Sequence, residues 1–79
     1  MSYTPSNILR VILEEVIKYY DGALNEETRL TDIILSDDLS AICLALEREF
    51  GVKPDRNLYK NIFTVKDLHD LFNEELKLQ

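Results

Sequence analysis

A single cysteine, Cys43, two glycines, two prolines and no tryptophan occur in 79 residues. One cysteine excludes an internal disulfide and points weakly to a reducing compartment. So little glycine and proline argues against a turn-rich β sandwich. No apolar run approaches the roughly 20 residues needed to span a bilayer. The opening MSYTPSNILR lacks the basic start and apolar stretch of a secretion signal. These absences lead to the expectation of a soluble cytoplasmic protein with no membrane insertion. Basic residues are also short, at 9 against 15 acidic, for a net charge of −6. A sequence-independent nucleic-acid binder needs the opposite sign, and an anionic membrane surface is disfavoured for the same reason. A partner carrying a basic patch is favoured, because opposite fields speed encounter.

What is present is an ordinary globular composition, 46% hydrophobic and 30% charged, which is wrong for a disordered chain. The length leaves room for one small domain, residues 1–79. Ile8, Val11, Ile12, Val16 and Tyr19 recur at helical spacing, and Leu9, Leu13, Ile17 and Tyr20 broaden that stripe. With Thr4 as N-cap and Pro5 at the first helical position, the pattern predicts a helix over 5–20, ended at Asp21-Gly22 by a left-handed glycine. The stretch to Ser36 has no sustained period. A loop this long must be pinned, and Leu24, Leu30, Ile33, Ile34 and Leu35 are the expected pins, with one helical turn at Asn25–Thr28.

A second helix follows, with Ser36 as N-cap, Asp37 and Asp38 in the first turn where the helix dipole favours them, and Gly51 as terminator. Leu39, Ile42, Cys43, Leu46 and Phe50 form its apolar stripe. Pro54 disfavours a helical Lys53, so 52–61 reads as loop, with one short turn over 58–62. The last helix spans 64–76, with Thr64 and Asp67 resembling a capping box and Val65, Leu68, Leu71, Phe72 and Leu76 as its buried stripe. The class is all-α: a small bundle of three real helices and one short one, with a long loop between the first two.

No catalytic set emerges from the residues. Cys43 lies on an apolar stripe and reads as a small hydrophobe. His69, the only histidine, has no nucleophile placed near it and no further ligands for zinc, so it reads as a surface residue. Asp32, Asp37 and Asp38 lack the pattern of a calcium loop, so weak surface association with divalent ions is the most they allow and no metal site is expected. Tyr19, Tyr20, Tyr59, Phe63 and Phe72 read as core and helix-end packing.

The chain resembles the acyl carrier proteins. The segment ALEREFGVKP, residues 45–54, is similar to the end of that family's second helix, and IFTVKDLHDLF, residues 62–72, to its last helix; TRLTDIIL looks like the lead into the second. The resemblance implies a four-helix carrier fold with a long first loop and a short third helix. The family attaches 4′-phosphopantetheine to the serine of an Asp-Ser-Leu motif, and here the residues read Leu35-Ser36-Asp37-Asp38-Leu39. Counting back from Phe50 without a gap puts Ser36 at the attachment position, without the flanking Asp and Leu. Aligning on the loop puts Asp38 there, with the second helix shortened by two residues, similar to carrier-like proteins with an Asp-Asp pair. The second alignment, in which no arm is carried, is preferred, because Ser36 as an N-cap already has a structural role; Ser40 has still less motif support. The resemblance implies a non-enzymatic monomer that docks on a basic patch of a partner enzyme or protein through Asp37, Asp38, Glu47 and Glu49. The bland alternative is a solvated helix face, diluted by Arg48 and interrupted by Ala41 and Ala45. If an acyl chain were held, the resemblance would line its cavity with the aromatic residues and Leu46.

Overall fold

The computed structural model describes residues 4–78. Met1, Ser2 and Tyr3, at the head of the segment read for a secretion signal, lie outside the described residues, as does Gln79. The fold is all-α: α1 (Pro5–Val16), α2 (Leu30–Ile33), α3 (Ser36–Phe50), a 3-10 helix (Arg56–Asn61) and α4 (Val65–Lys77). Among the described residues there is no strand, only an isolated bridge between Arg29 and Thr64. No helix of the described residues is long and apolar enough to cross a membrane.

α1 starts as its sequence dictates, with the Asn7 N–H donating to Thr4 Oγ1 at 3.2 Å and proline in the first turn. It buries Ile8, Ile12 and Val16 and ends there, four residues before the expected Tyr20. Beyond Val16 the chain tightens into hydrogen-bonded turns that leave Ile17 and Tyr19 exposed. Gly22 is not left-handed as expected; Gly51 is the only described residue with positive φ, at 70°. Glycine at 22 has another reason, since a Cβ there would run into the ring of Tyr20.

Residues 17–29 are stitched down by backbone. Leu30 N–H donates to the Phe63 carbonyl at 2.7 Å, Val65 N–H to Thr28 at 3.1 Å and Lys66 N–H to Glu26 at 2.9 Å. Residues 26–30 therefore pair backbone polar groups with the start of α4. Asn25–Thr28 is not helical: Asn25 Oδ1 accepts from Glu27 N–H at 2.8 Å, and Thr28 Oγ1 accepts from Asn25 N–H at 2.9 Å. The helical turn falls at 30–33 instead. Leu30 and Ile34 are buried pins and Leu24 and Ile33 are partly buried, but Leu35 points out at 76% exposure.

α3 buries Ile42, Cys43, Leu46 and Phe50 and stops at left-handed Gly51. The 3-10 helix is capped by Asp55, whose Oδ1 accepts from Asn57 N–H at 2.9 Å. α4 carries the expected capping box, with Thr64 Oγ1 accepting from Asp67 N–H and Asp67 Oδ2 from Thr64 N–H, each at 3.1 Å. Phe63 N–H also donates to Asp67 Oδ2 at 3.0 Å. The Phe63 N–H is the largest influence on the Asp67 carboxyl; burial opposes it, and with the Thr64 donors added the carboxyl is held below its ordinary value. α1 packs on α4 and α3, and the Phe50 and Phe72 rings meet at 5.4 Å in one hydrophobic cluster.

Candidate functional site

Ile34 is buried and Leu35 is extended (φ −66°, ψ 151°), so Leu35 takes the N-cap of α3 and its carbonyl accepts the first helical bond, from Leu39 N–H at 2.9 Å. An aliphatic side chain cannot cap, and α3 has no side-chain cap. Ser36 is therefore not the N-cap expected from sequence. It is the first helical residue, exposed, and its hydroxyl engages none of the described residues. α3 runs 15 residues, from Ser36 to Phe50.

At roughly 100° per residue, the side chains of α3 fall on separate faces. Ser36, Ser40, Cys43 and Glu47 share one. Asp38, Ala45 and Glu49 share another, on roughly the opposite side, with Asp37, Ala41 and Arg48 beside them. The four acids expected to dock together are thus split. Asp37 and Glu49 are exposed and Asp38 is half-buried on the outer side. Glu47 is half-buried on the other, where its Oε2 accepts from the Tyr59 hydroxyl at 2.7 Å. Burial, then that bond, holds the Tyr59 phenol above its usual range.

The Ser36 face of α3 forms one wall of an open groove of about 590 Å³. Leu39 and Leu44 belong to the same wall. Lys53, Pro54, Arg56, Tyr59 and Ile62, from the loop and the 3-10 helix, form the other. Cys43 lies at its floor, and burial, with the Glu47 carboxylate a smaller cause, pushes its thiol up to about 11, so it is a packing group rather than a nucleophile. None of Tyr19, Tyr20, Phe63, Phe72 or Leu46 lines this groove. Phe72 and Leu46 are core, Tyr20 packs on it, and Tyr19 and Phe63 are exposed, with the Arg29 guanidinium 5.7 Å from the Phe63 ring centre.

His69 is not a free surface residue. It is half-buried, with Nε2 3.1 Å from the Pro5 carbonyl oxygen and Nδ1 3.2 Å from Asp70 Oδ1, and so ties α4 to the start of α1. Asp32 is exposed and pairs with Arg29 at 3.3 Å, apart from Asp37 and Asp38. Among the described residues no group of three or more His, Cys, Asp or Glu side chains could hold a metal ion.

Sequence reasoning missed the far wall, Lys53, Pro54, Arg56 and Ile62. The available signal was the polar-apolar line Ser36, Ser40, Cys43, Glu47 on α3, whose mixed character marks a face partly covered and partly open. No family model matches the chain, and no curated protein matches it.

Proposed function

We propose that the chain is a non-catalytic, carrier-like module that works by docking the acidic outer side of α3 on a basic patch of a partner enzyme or protein. The element order supports a four-helix carrier bundle, with α2 as a turn within the long first loop and the 3-10 helix as the short third helix. The observation that carries the docking reading is the exposed start of α3. Asp37 and Asp38 stand there with no ion-pair partner among the described residues, in a chain of net charge −6. Charges left in water at a helix start are available to steer a cationic partner. Glu49 lies on the same side of the helix; Glu47, held by Tyr59, contributes to the groove and not to docking.

A second reading has its own support. The Ser36 hydroxyl is exposed, takes no part in capping, and stands at the edge of a groove. Those properties fit attachment of 4′-phosphopantetheine, whose terminal thiol would supply thioester chemistry. Against it stands the local sequence, in which neither neighbour of Ser36 matches Asp-Ser-Leu.

One experiment separates the two. The protein is incubated with coenzyme A, magnesium and a broad-specificity phosphopantetheinyl transferase, and its intact mass is measured beside a control carrier. The docking reading expects no mass change while the control is fully modified. A gain of one arm, lost in Ser36→Ala, would replace it with the loaded-carrier reading. Docking is tested by a photo-crosslinker at Ala41 in cells of the source: the adduct formed should be lost in the double variant Asp37→Asn/Asp38→Asn.

A further inference from the structure

The cations of this chain are unevenly spread. Residues 48–66 hold five cations and two acids, net +3; the rest of the chain holds four cations and thirteen acids, net −9. Pairing divides the same way. Arg10, Lys18, Arg29 and Lys77 each sit against an acid of their own segment. Lys53, Arg56 and Lys60 are exposed and have no ion-pair partner among the described residues. The acids beside them are engaged: Asp55 Oδ1 accepts from Asn57 N–H and Glu47 Oε2 from the Tyr59 hydroxyl. Lys53 and Arg56 stand on the same wall of the groove. Lys60 follows about 8 Å beyond Arg56 along the 3-10 helix, at roughly 2 Å per residue. Leu58, 41% exposed, falls between them in sequence. The result is a basic ridge with one outward-facing leucine, on an acidic protein.

Its complement stands at the start of α3. Asp37 and Asp38 are unpaired there among the described residues, next in sequence to Leu35, which is 76% exposed. Each surface therefore offers charge of one sign beside one outward-facing leucine, and the signs are opposite. We propose that the ridge is a docking surface for the start of α3 of a second copy of this chain. Asp37 and Asp38 of one copy face Lys53, Arg56 and Lys60 of the other, with Leu35 near Leu58. The two patches are different residues, so the contact is heterologous. The net charge of −6 on each copy does not prevent it. Charges more than about 8 Å apart are screened at physiological ionic strength. The molecule measures 32 × 25 × 19 Å, so the facing patches outweigh the distant acids. A nucleic acid or an anionic membrane is the poorer occupant, because an extended polyanion reaches beyond the ridge to the acidic remainder. For its acidic half the inference rests on the docking reading above, whose partner it names.

The test is sedimentation velocity, with amide shifts of the ¹⁵N-labelled full chain, over a range of concentrations. A few exposed ion pairs imply dissociation at about 1 mM. As that concentration is approached the parent's sedimentation coefficient should rise and the shifts of residues 35–38 and 53–60 should move; both effects should fade in high salt. Lys53→Gln/Arg56→Gln/Lys60→Gln and Asp37→Asn/Asp38→Asn should each stay monomeric alone. A mixture of the two should associate again, because one keeps the acidic patch and the other keeps the ridge. Arg10→Gln/Lys18→Gln/Lys77→Gln, with the same net charge as the ridge variant, should associate like the parent. Circular dichroism checks each fold; were the ridge variant to lose its fold, Leu58→Glu takes its place. A monomeric parent, association unchanged in the ridge variant, equal loss in the Arg10/Lys18/Lys77 variant, or a mixture that stays monomeric would each overturn the proposal. Ridge shifts induced in a monomeric parent by phosphatidylglycerol vesicles or by an acidic peptide would overturn it too, and give the ridge to that occupant. The docking reading survives such a result if the crosslinker at Ala41 captures a different protein and loses it in Asp37→Asn/Asp38→Asn.

Discussion

The Tyr59 hydroxyl donates to Glu47 Oε2 at 2.7 Å, a side-chain bond that ties the 3-10 helix to α3. Both side chains are half-buried, so the bond is shielded from water on one side and open on the other. A bond in that setting is worth about 1 kcal/mol net. Tyr59→Phe keeps the ring and removes the donor. It should lower stability by about that amount, or about 4–8 °C in the melting temperature of a domain of this size. Glu47→Gln, which retains an acceptor, should cost less. Thermal unfolding of the two variants beside the parent checks the order; no loss in Tyr59→Phe would mean that the ring alone, and not the bond, holds the segment.

The α4 capping box has a pH signature. Asp67 accepts from Phe63 and Thr64 N–H groups, and these hold its folded carboxyl below the ordinary 3.8. A depressed folded value means that the ionised form is the stabilised one, so its contribution is fully present well above 3.8 and is lost as pH falls through the folded value. Thr64→Ala should cost about 1 kcal/mol at neutral pH. Asp67→Asn should also destabilise at neutral pH, and the gap to the parent should close as pH falls below the ordinary carboxylate range. Urea unfolding at pH 7 and at successively lower pH measures the gap; a gap independent of pH would assign the effect to geometry and not to charge.

The periodic parts of this fold were legible because burial follows period. The stripes of α1, α3 and α4 become the core, from Ile8 to Phe72, and Thr64 with Asp67 is a local signal that needs no tertiary information. The errors fall where long-range contacts decide. Tyr19 continues the α1 stripe by spacing, but the helix ends at Val16 and Tyr19 stands exposed. Ser36 looked like a cap because of its chemistry; the burial of Ile34 sets the register so that Leu35 occupies the cap and Ser36 enters the helix. His69 looked isolated because its partner, the Pro5 carbonyl, is 64 positions away in sequence. The groove was illegible for the same reason: its second wall comes from a loop whose course over α3 no local pattern encodes.

Cys43 gives a second pH test with the opposite sign. Burial pushes its thiol from 9.0 up to about 11. The neutral form is the one the core accepts, so the contribution is intact below 9.0 and is lost as pH rises toward 11. The native thiol should react slowly with a disulfide reagent at pH 8 and rapidly once the chain is unfolded in urea. Cys43→Ala should lose some packing at neutral pH, and its deficit relative to the parent should shrink as pH rises above 9.0. Fast labelling in the native state would show that the groove floor opens.

The two helix starts at Thr4 and Ser36 separate capping from any other role of a hydroxyl. Thr4 Oγ1 accepts from the Asn7 N–H at 3.2 Å, whereas α3 has no side-chain cap and Ser36 Oγ has no partner among the described residues. Thr4→Ala should therefore cost about 1 kcal/mol, while Ser36→Ala should fall within about 0.5 kcal/mol of the parent, as a surface change does. Urea unfolding of the two variants measures this directly, and a cost at Ser36 equal to that at Thr4 would restore Ser36 as a cap. The result bears on function as well as on folding. If Ser36→Ala is neutral for stability, any loss of modification or partner binding in that variant must come from the missing hydroxyl itself, because the fold beneath it has not changed.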